Sequence, residues 1–284
     1  MSRSDWPELD FVQVDAFADR PFAGNPAAVV VTERPLDEQL MQLVALEMNL
    51  SETAFLHPAG DVWALRWFTP AAEVDLCGHA TLASAHALWE SGVAADDDEI
   101  VFESRGGVLR CSKPPGSLNA IAMDFPALVA SPVDVPPGLE AALGASALAV
   151  WRTAFDLVVE VSDADAVTAL RPDFRALQAI DARGVIVTAA GPPGSGIDFV
   201  SRFFAPSFGV PEDPVTGSAH CALGPLWAAR LGRNDLLAEQ RSARGGRLTL
   251  TCRGDRVILT GSAVTVARGR IFPRGTPGNP SHNA

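Results

Sequence analysis

The sequence predicts an α+β chain of two similar halves, each a set of strands around one buried helix. Three observations carry this reading. One segment is used twice: Arg66-Trp67-Phe68-Thr69-Pro70 followed by Cys77-Gly78-His79-Ala80, and Arg202-Phe203-Phe204-Ala205-Pro206 followed by Thr216-Gly217-Ser218-Ala219. The strands lie 202 − 66 = 136 residues apart and the glycine turns 217 − 78 = 139, so the copies differ by three inserted residues. Each turn leads into a stretch, 80–89 or 219–231, that is apolar nearly all round, as expected of a helix enclosed by its domain. Short strands fill the remainder, and no G-x-G-x-x-G follows a strand.

In chain order, residues 10–17 alternate as a strand, and Pro21, Gly24 and Asn25-Pro26 turn the chain into another at 27–31. Leu36, Leu40, Leu43 and Val44 share a helical face, with Asp37 and Glu38 in a first turn that favours acids, so a helix should run to about Asn49. Strands at 51–56 and 62–69 precede the first buried helix; strands at 99–104, 107–112 and 119–125 follow it. Residues 126–137, rich in Pro and Ala, read as a linker. Beyond it come strands within 148–161 and at 184–189, a short helix at 163–170, the second buried helix, and strands at 247–252 and 256–260. The expected domains are 1–128 and 129–261, with a strand near 262–272 returning to the first and a loose tail at 273–284.

The chain has 284 residues, 48% hydrophobic and 20% charged, which fits a globular protein with a sizeable core. Its net charge of −12 argues against nucleic acid or an anionic membrane as partner, so any small anion must be held by local dipoles. Lys113 is the only lysine and sits beside Pro114-Pro115, which argues against pyridoxal phosphate and Walker-type nucleotide chemistry. No signal segment or membrane-length apolar run is seen, and Cys77, Cys111, Cys221 and Cys252 lack metal or disulfide spacing. The expectation is a cytoplasmic protein with reduced thiols. Gly191-Pro192-Pro193-Gly194-Ser195-Gly196 reads as a surface turn rather than a phosphate cradle.

The candidate chemistry sits in the two turns. Gly78 and Gly217 let a ligand approach the backbone, and the N–H groups of Gly217 and Ser218 should point outward, as should those of the first turn. Opposed helix ends would hold a planar carboxylate without lysine or arginine. Asp213 precedes Pro214 and His79 stands beside Gly78; read alone, each is an ordinary turn acid or core histidine, and Glu52 an ordinary strand residue. His79 and His86 have no third metal ligand near them in sequence. A G-x-S-x-G elbow is missing. Thr216 stands where a two-thiol racemase needs a second cysteine, so paired-thiol chemistry is excluded.

Four ordered motifs resemble the PhzF, phenazine biosynthesis-like, family: Val14–Phe17 with Phe22–Val30, Asn49–Phe55, Leu76–Thr81 and Gly209–His220. The resemblance spans nearly the whole chain. It implies the diaminopimelate-epimerase fold: two pseudo-symmetric domains, each a curved, mostly antiparallel sheet around a central helix, with the site in the cleft between them. It further implies isomerisation without metal or cofactor, with Glu52, His79, Asp213 and Ser218 catalytic, Ser51, Gly78, Thr216 and Gly217 binding substrate, and a homodimer. The reaction expected is a proton shift on a small carboxylated cyclic metabolite, carried by Glu52. The alternatives are a racemase or epimerase, and a small-anion binding protein without turnover.

Overall fold

The computed structural model describes residues 6–117 and 119–273, so most of the tail expected at 273–284 lies outside the described residues. The first half contributes β1 (Leu9–Ala16), β2 (Asn25–Val31), α1 (Glu38–Met48), β3 (Glu52–Ala59), β4 (Val62–Phe68), β5 (Glu73–Val74), α2 (Gly78–Glu90), β6 (Ile100–Ser104), β7 (Gly107–Ser112) and β8 (Ala120–Pro126). Next come β9 (Ser131–Val133), α3 (Leu139–Leu143), β10 (Ala149–Arg152), β11 (Asp156–Glu160), α4 (Ala164–Ala169), α5 (Phe174–Leu177), β12 (Gly184–Ala190), β13 (Phe199–Ala205) and β14 (Val210–Asp213). The chain finishes with α6 (Gly217–Leu231), β15 (Asp235–Gln240), β16 (Gly246–Arg253) and β17 (Arg256–Ile271).

The duplication read from two motifs extends to the whole pairing scheme. Advancing each strand number by nine maps one half on the other. The parallel pair β2–β3 becomes β11–β12, the antiparallel β3–β4 becomes β12–β13, and the parallel β4–β6 becomes β13–β15. In the first half, β1, β2, β3, β4, β6, β7, β8 and β17 close into a ring: the start of β17 pairs with β8 and its remainder with β1. In the second half β8 and β9 together take the place of that long strand, with β9 pairing to β10. Each ring encloses its helix. Ten residues of α2 are buried, including Ala80, Leu82, Ala83 and Leu88, and α6 is similarly covered.

Local chemistry explains the ends. Asp37 caps α1 by accepting from Gln39 and Leu40 N–H, and Asn49 closes it in the left-handed region at φ 50°. Pro225 inside α6 has no N–H to give the Cys221 carbonyl, and that carbonyl instead accepts from Leu128 N at 3.0 Å. The same substitution of partners ties the buried helix to the segment joining the halves. The repeated arginines keep one device: Arg66 chelates Glu73 seven residues on and stacks on Phe68, while Arg202 chelates Glu212 ten residues on and stacks on Phe204. The three inserted residues therefore lie between each arginine and its glutamate.

The elements differ in detail from expectation at four places. The linker at 126–137 carries β9, whose three exposed residues include a proline and give no alternating pattern. The strands expected at 256–260 and near 262–272 form one continuous strand, β17, running to Ile271, with Gly261 and Gly269 against the rings of Phe17 and Phe11, where any Cβ would clash. Asp213 ends β14 rather than lying in an open turn. β15, α3 and α5 were not foreseen; the two helices are of five and four residues, too short to show a period.

Candidate active site

Gly78 and Gly217 begin α2 and α6, and the two helix ends meet. A Cβ built on either glycine would lie 3.3 Å from the other's Cα, a tight contact that leaves little room for a side chain at either position. Neither end has a side-chain cap: Cys77 and Thr216 both occupy the cap position without bonding the following N–H groups. Two helix starts without a side-chain cap thus lie together where the halves join, with both helix dipoles favouring an anion.

Glu52, the first residue of β3, lies beside α2. Its Oε2 is 3.2 Å from His79 Nε2. That pair lacks the alignment of a hydrogen bond, so both atoms are buried without a partner. On the other side of the ring, His79 Nδ1 lies 3.1 Å from Asn25 Nδ2 and 3.5 Å from Cys77 Sγ. Asn25 Nδ2 also reaches Asp213 Oδ1 at 2.8 Å and Val215 O at 3.0 Å. Those two atoms are acceptors, which fixes the amide with its nitrogen toward them. Nδ1 of His79 therefore faces an amide nitrogen that cannot accept and a thiol that accepts only weakly, and the imidazole hydrogen belongs on Nε2, toward Glu52. Asp213 is further bound by the Thr216 hydroxyl, and Gln240 buttresses the turn by accepting from Thr216 N at 2.9 Å and donating to Asp213 O at 2.7 Å.

Burial dominates the electrostatics. It pushes the Glu52 carboxyl, helped by the charge of Asp213, from 4.5 up to about 8. Burial also raises Asp213 from 3.8 to about 6, against the pull of Thr216, Asn25 and Arg183. It holds His79 down at about 3, hence neutral, and lifts the Cys77 thiol well above 9. A thiolate nucleophile at Cys77 is therefore disfavoured, while Glu52 can change protonation near neutrality.

The structure brings Glu52, His79 and Asp213 into one network, and places Gly78, Gly217, Thr216 and Ser218 at the paired helix ends. Ser218 Oγ bonds Arg183 rather than the Glu52 cluster, and Ser51, half-buried, makes no side-chain hydrogen bond among the described residues. Sequence reasoning missed Asn25, Gln240 and Arg183; only Asn25, beside Pro26 in a quoted motif, offered a signal. It also found no third metal ligand near His79. The fold supplies two, since donor atoms of Glu52, Cys77 and His79 lie within 4.8 Å of one another, whereas His86 bonds Thr265. A cavity of about 630 Å³ does not open on Glu52; it lies along the seam between Phe17, Arg20, Arg241, Arg244 and Arg247, beside Gln240. The buried unsatisfied atoms Glu52 Oε2 and His79 Nε2 lie apart from that cavity's lining.

The comparisons with known proteins show the family and the fold. Residues 14–269 match the PhzC-PhzF family, described as phenazine biosynthesis-like protein. An uncharacterized isomerase of Pseudomonas aeruginosa is 51% identical over 264 residues, covering 93% of this chain and 98% of that protein. The crystal structure of a PhzF-family phenazine biosynthesis protein from Enterococcus faecalis has 43% identity and a TM-score of 0.88, covering 94% of this chain and all of that one. A probable proline racemase from Agrobacterium radiobacter, 13% identical with a TM-score of 0.64 over 96% of this chain and 94% of its own, shares the epimerase-like fold. The chain therefore belongs to the PhzC-PhzF, phenazine biosynthesis-like, family.

Proposed function

We propose that this isomerase moves a proton between two carbons of a small cyclic carboxylate, without metal or cofactor, where the two halves meet. The observation that carries the reading is the buried Glu52–His79 pair, 3.2 Å apart and unaligned, beside two uncapped helix ends. The substrate carboxylate occupies the N–H groups of Gly78 and Gly217 and their successors. Glu52, in its carboxylate form, takes a proton from one ring carbon, the electron pair shifts through the conjugated system, and Glu52 returns the proton to another carbon. No atom is gained or lost, and Glu52 ends as it began. The Nε2–H of His79 donates to oxygen as charge develops, and Asp213 holds the Asn25–His79 array in place. Ser51 and Thr216 line the substrate side of the same turns. The family resemblance supports a cytoplasmic homodimer as the working state.

The test is proton exchange in D₂O with a dihydro-hydroxyanthranilate and related cyclohexadiene carboxylates, followed by proton NMR. Wild type should incorporate deuterium at the migrating position. Glu52→Gln should still bind the ligand and incorporate none; normal incorporation by that variant would falsify the role given to Glu52. Binding without any exchange in wild type would instead leave an anion-binding protein.

A further inference from the structure

Arg183 borders the site, yet the proton shift does not use it. It stands immediately before β12, its N–H bonded to Phe155 O. Nε and Nη2 chelate the carboxylate of the fully buried Asp156 at 2.8 and 2.5 Å. The guanidinium carbon lies 5.2 Å from the Phe155 ring centre and 5.9 Å from that of Phe203. Gly184 makes room for this stack, since a Cβ there would meet the Phe203 ring at 2.4 Å. A second Nη2 bond, 3.0 Å long, reaches Ser218 Oγ at the start of α6.

Neutralising Asp156 accounts for only part of this arrangement. A guanidinium has five N–H donors and no acceptor, so Ser218 Oγ must accept from Arg183. The Ser218 hydroxyl hydrogen, left without an acceptor among the described residues, is free to donate elsewhere. Nη1 likewise has no acceptor among the described residues, and 33% of the side chain stays exposed. Add the uncapped N–H groups of Gly217 and Ser218, and this corner offers donors only.

The internal duplication gives independent support. Phe68 and Phe204 are equivalent, and they pair with Thr53 and Val185. Glu52 and Gly184 are therefore equivalent positions, and so are Ser51 and Arg183. Where one half carries the proton carrier next to a serine, the other carries a bare backbone next to an arginine.

We infer that Arg183 is the positioning and specificity-determining residue of this corner, holding Ser218 as an obligate donor so that a substrate carboxylate is taken and a neutral amide refused. The inference rests on the reading that the ligand's anionic group sits at the start of α6.

Benzoate and benzamide, alike in ring and size, test it by calorimetric titration of the full chain. Wild type should favour benzoate by about ten- to a hundredfold, the difference a charge-assisted hydrogen bond commonly makes. Arg183→Met alone would strand a buried carboxylate, so it is combined with Asp156→Asn and its folding checked by circular dichroism. The preference should fall to near parity in that double variant, with Arg183→Lys, which keeps the charge but loses the fork, in between. A purely structural role predicts a lower melting temperature with the benzoate-to-benzamide ratio unchanged, and that result overturns the inference. So does a wild type that fails to bind benzoate or to prefer it. A wild type that prefers benzoate but exchanges no proton refutes the proton shift and not this subsite.

Discussion

Replacing Glu52 by Gln should make the protein more stable in alkali while removing its chemistry. The unfolded carboxyl titrates near 4.5, and burial with the Asp213 charge lifts the folded one to about 8. Below 4.5 the group is protonated in both states and contributes no pH dependence. Between the two values the native protein holds a proton that the unfolded chain has released, so stability falls as pH rises, and the loss is complete above about 8. At about 1.4 kcal/mol for each tenfold change, the ceiling is on the order of 5 kcal/mol. Water reaches a side chain that is 16% exposed, which brings the expected difference down to roughly 2–4 kcal/mol. Glutamine retains the shape and never ionises. Urea midpoints for both proteins between pH about 5 and about 9 should therefore diverge, with wild type losing ground steadily. Asp213, raised from 3.8 to about 6, acts in the same direction over a lower window and is present in both proteins. Curves that stay parallel across that range would show Glu52 to be ordinarily ionised and refute the electrostatic reasoning.

Two substitutions should move the Glu52 titration in opposite directions, read from the pH dependence of exchange. Asp213→Asn removes a charge that raises it and shifts the profile to lower pH; Cys77→Ala removes a hydrogen bond that lowers it and shifts the profile to higher pH. Cys77→Ala should also retain turnover within about tenfold, because a thiol held protonated carries no covalent step; complete loss would revive a thiol mechanism. Gly78→Ala should leave the protein folded but weaken benzoate binding measurably by calorimetry, since its Cβ, 3.3 Å from Gly217 Cα, must displace one helix end by a few tenths of an ångström. Nitrogen-15 spectra of His79 should report the Nε2–H tautomer, and an Nδ1–H signal would contradict the orientation deduced for Asn25.

The parts of this site that were legible in the sequence are the parts made locally. A glycine, an uncapped turn and an apolar helix form one contiguous signal, so Gly78, His79, Gly217 and Ser218 could be placed without tertiary information. Glu52 entered only through the family resemblance, because nothing within its own strand distinguishes it from a solvated glutamate. Asn25 bonds Asp213 across 188 residues, and Arg183 meets Ser218 across 35. Side-chain bonds of that span leave no periodicity to read. The same limit explains the strands that were missed: β9 and β14 are three and four residues long and gain their place by pairing, not by pattern.

What the duplicated scaffold keeps and what it varies separate structure from chemistry. The Arg66–Glu73 and Arg202–Glu212 pairs are the same device in both halves, and Gly78 and Gly217 are held identical by a 3.3 Å contact. The cap and the residues facing the joint differ: Cys77 against Thr216, His79 against Ser218, Ser51-Glu52 against Arg183-Gly184. A symmetric pair of bases would serve an enzyme that removes a proton on one face of a carbon and returns it on the other. Here Gly184 stands opposite Glu52, and the residue beside it is a cation already committed to Asp156 and Ser218. On the proposed reading, one half moves a proton and the other holds an anion still. A single carrier that gives back the proton it took needs that division of labour; two-base inversion of a stereocentre does not.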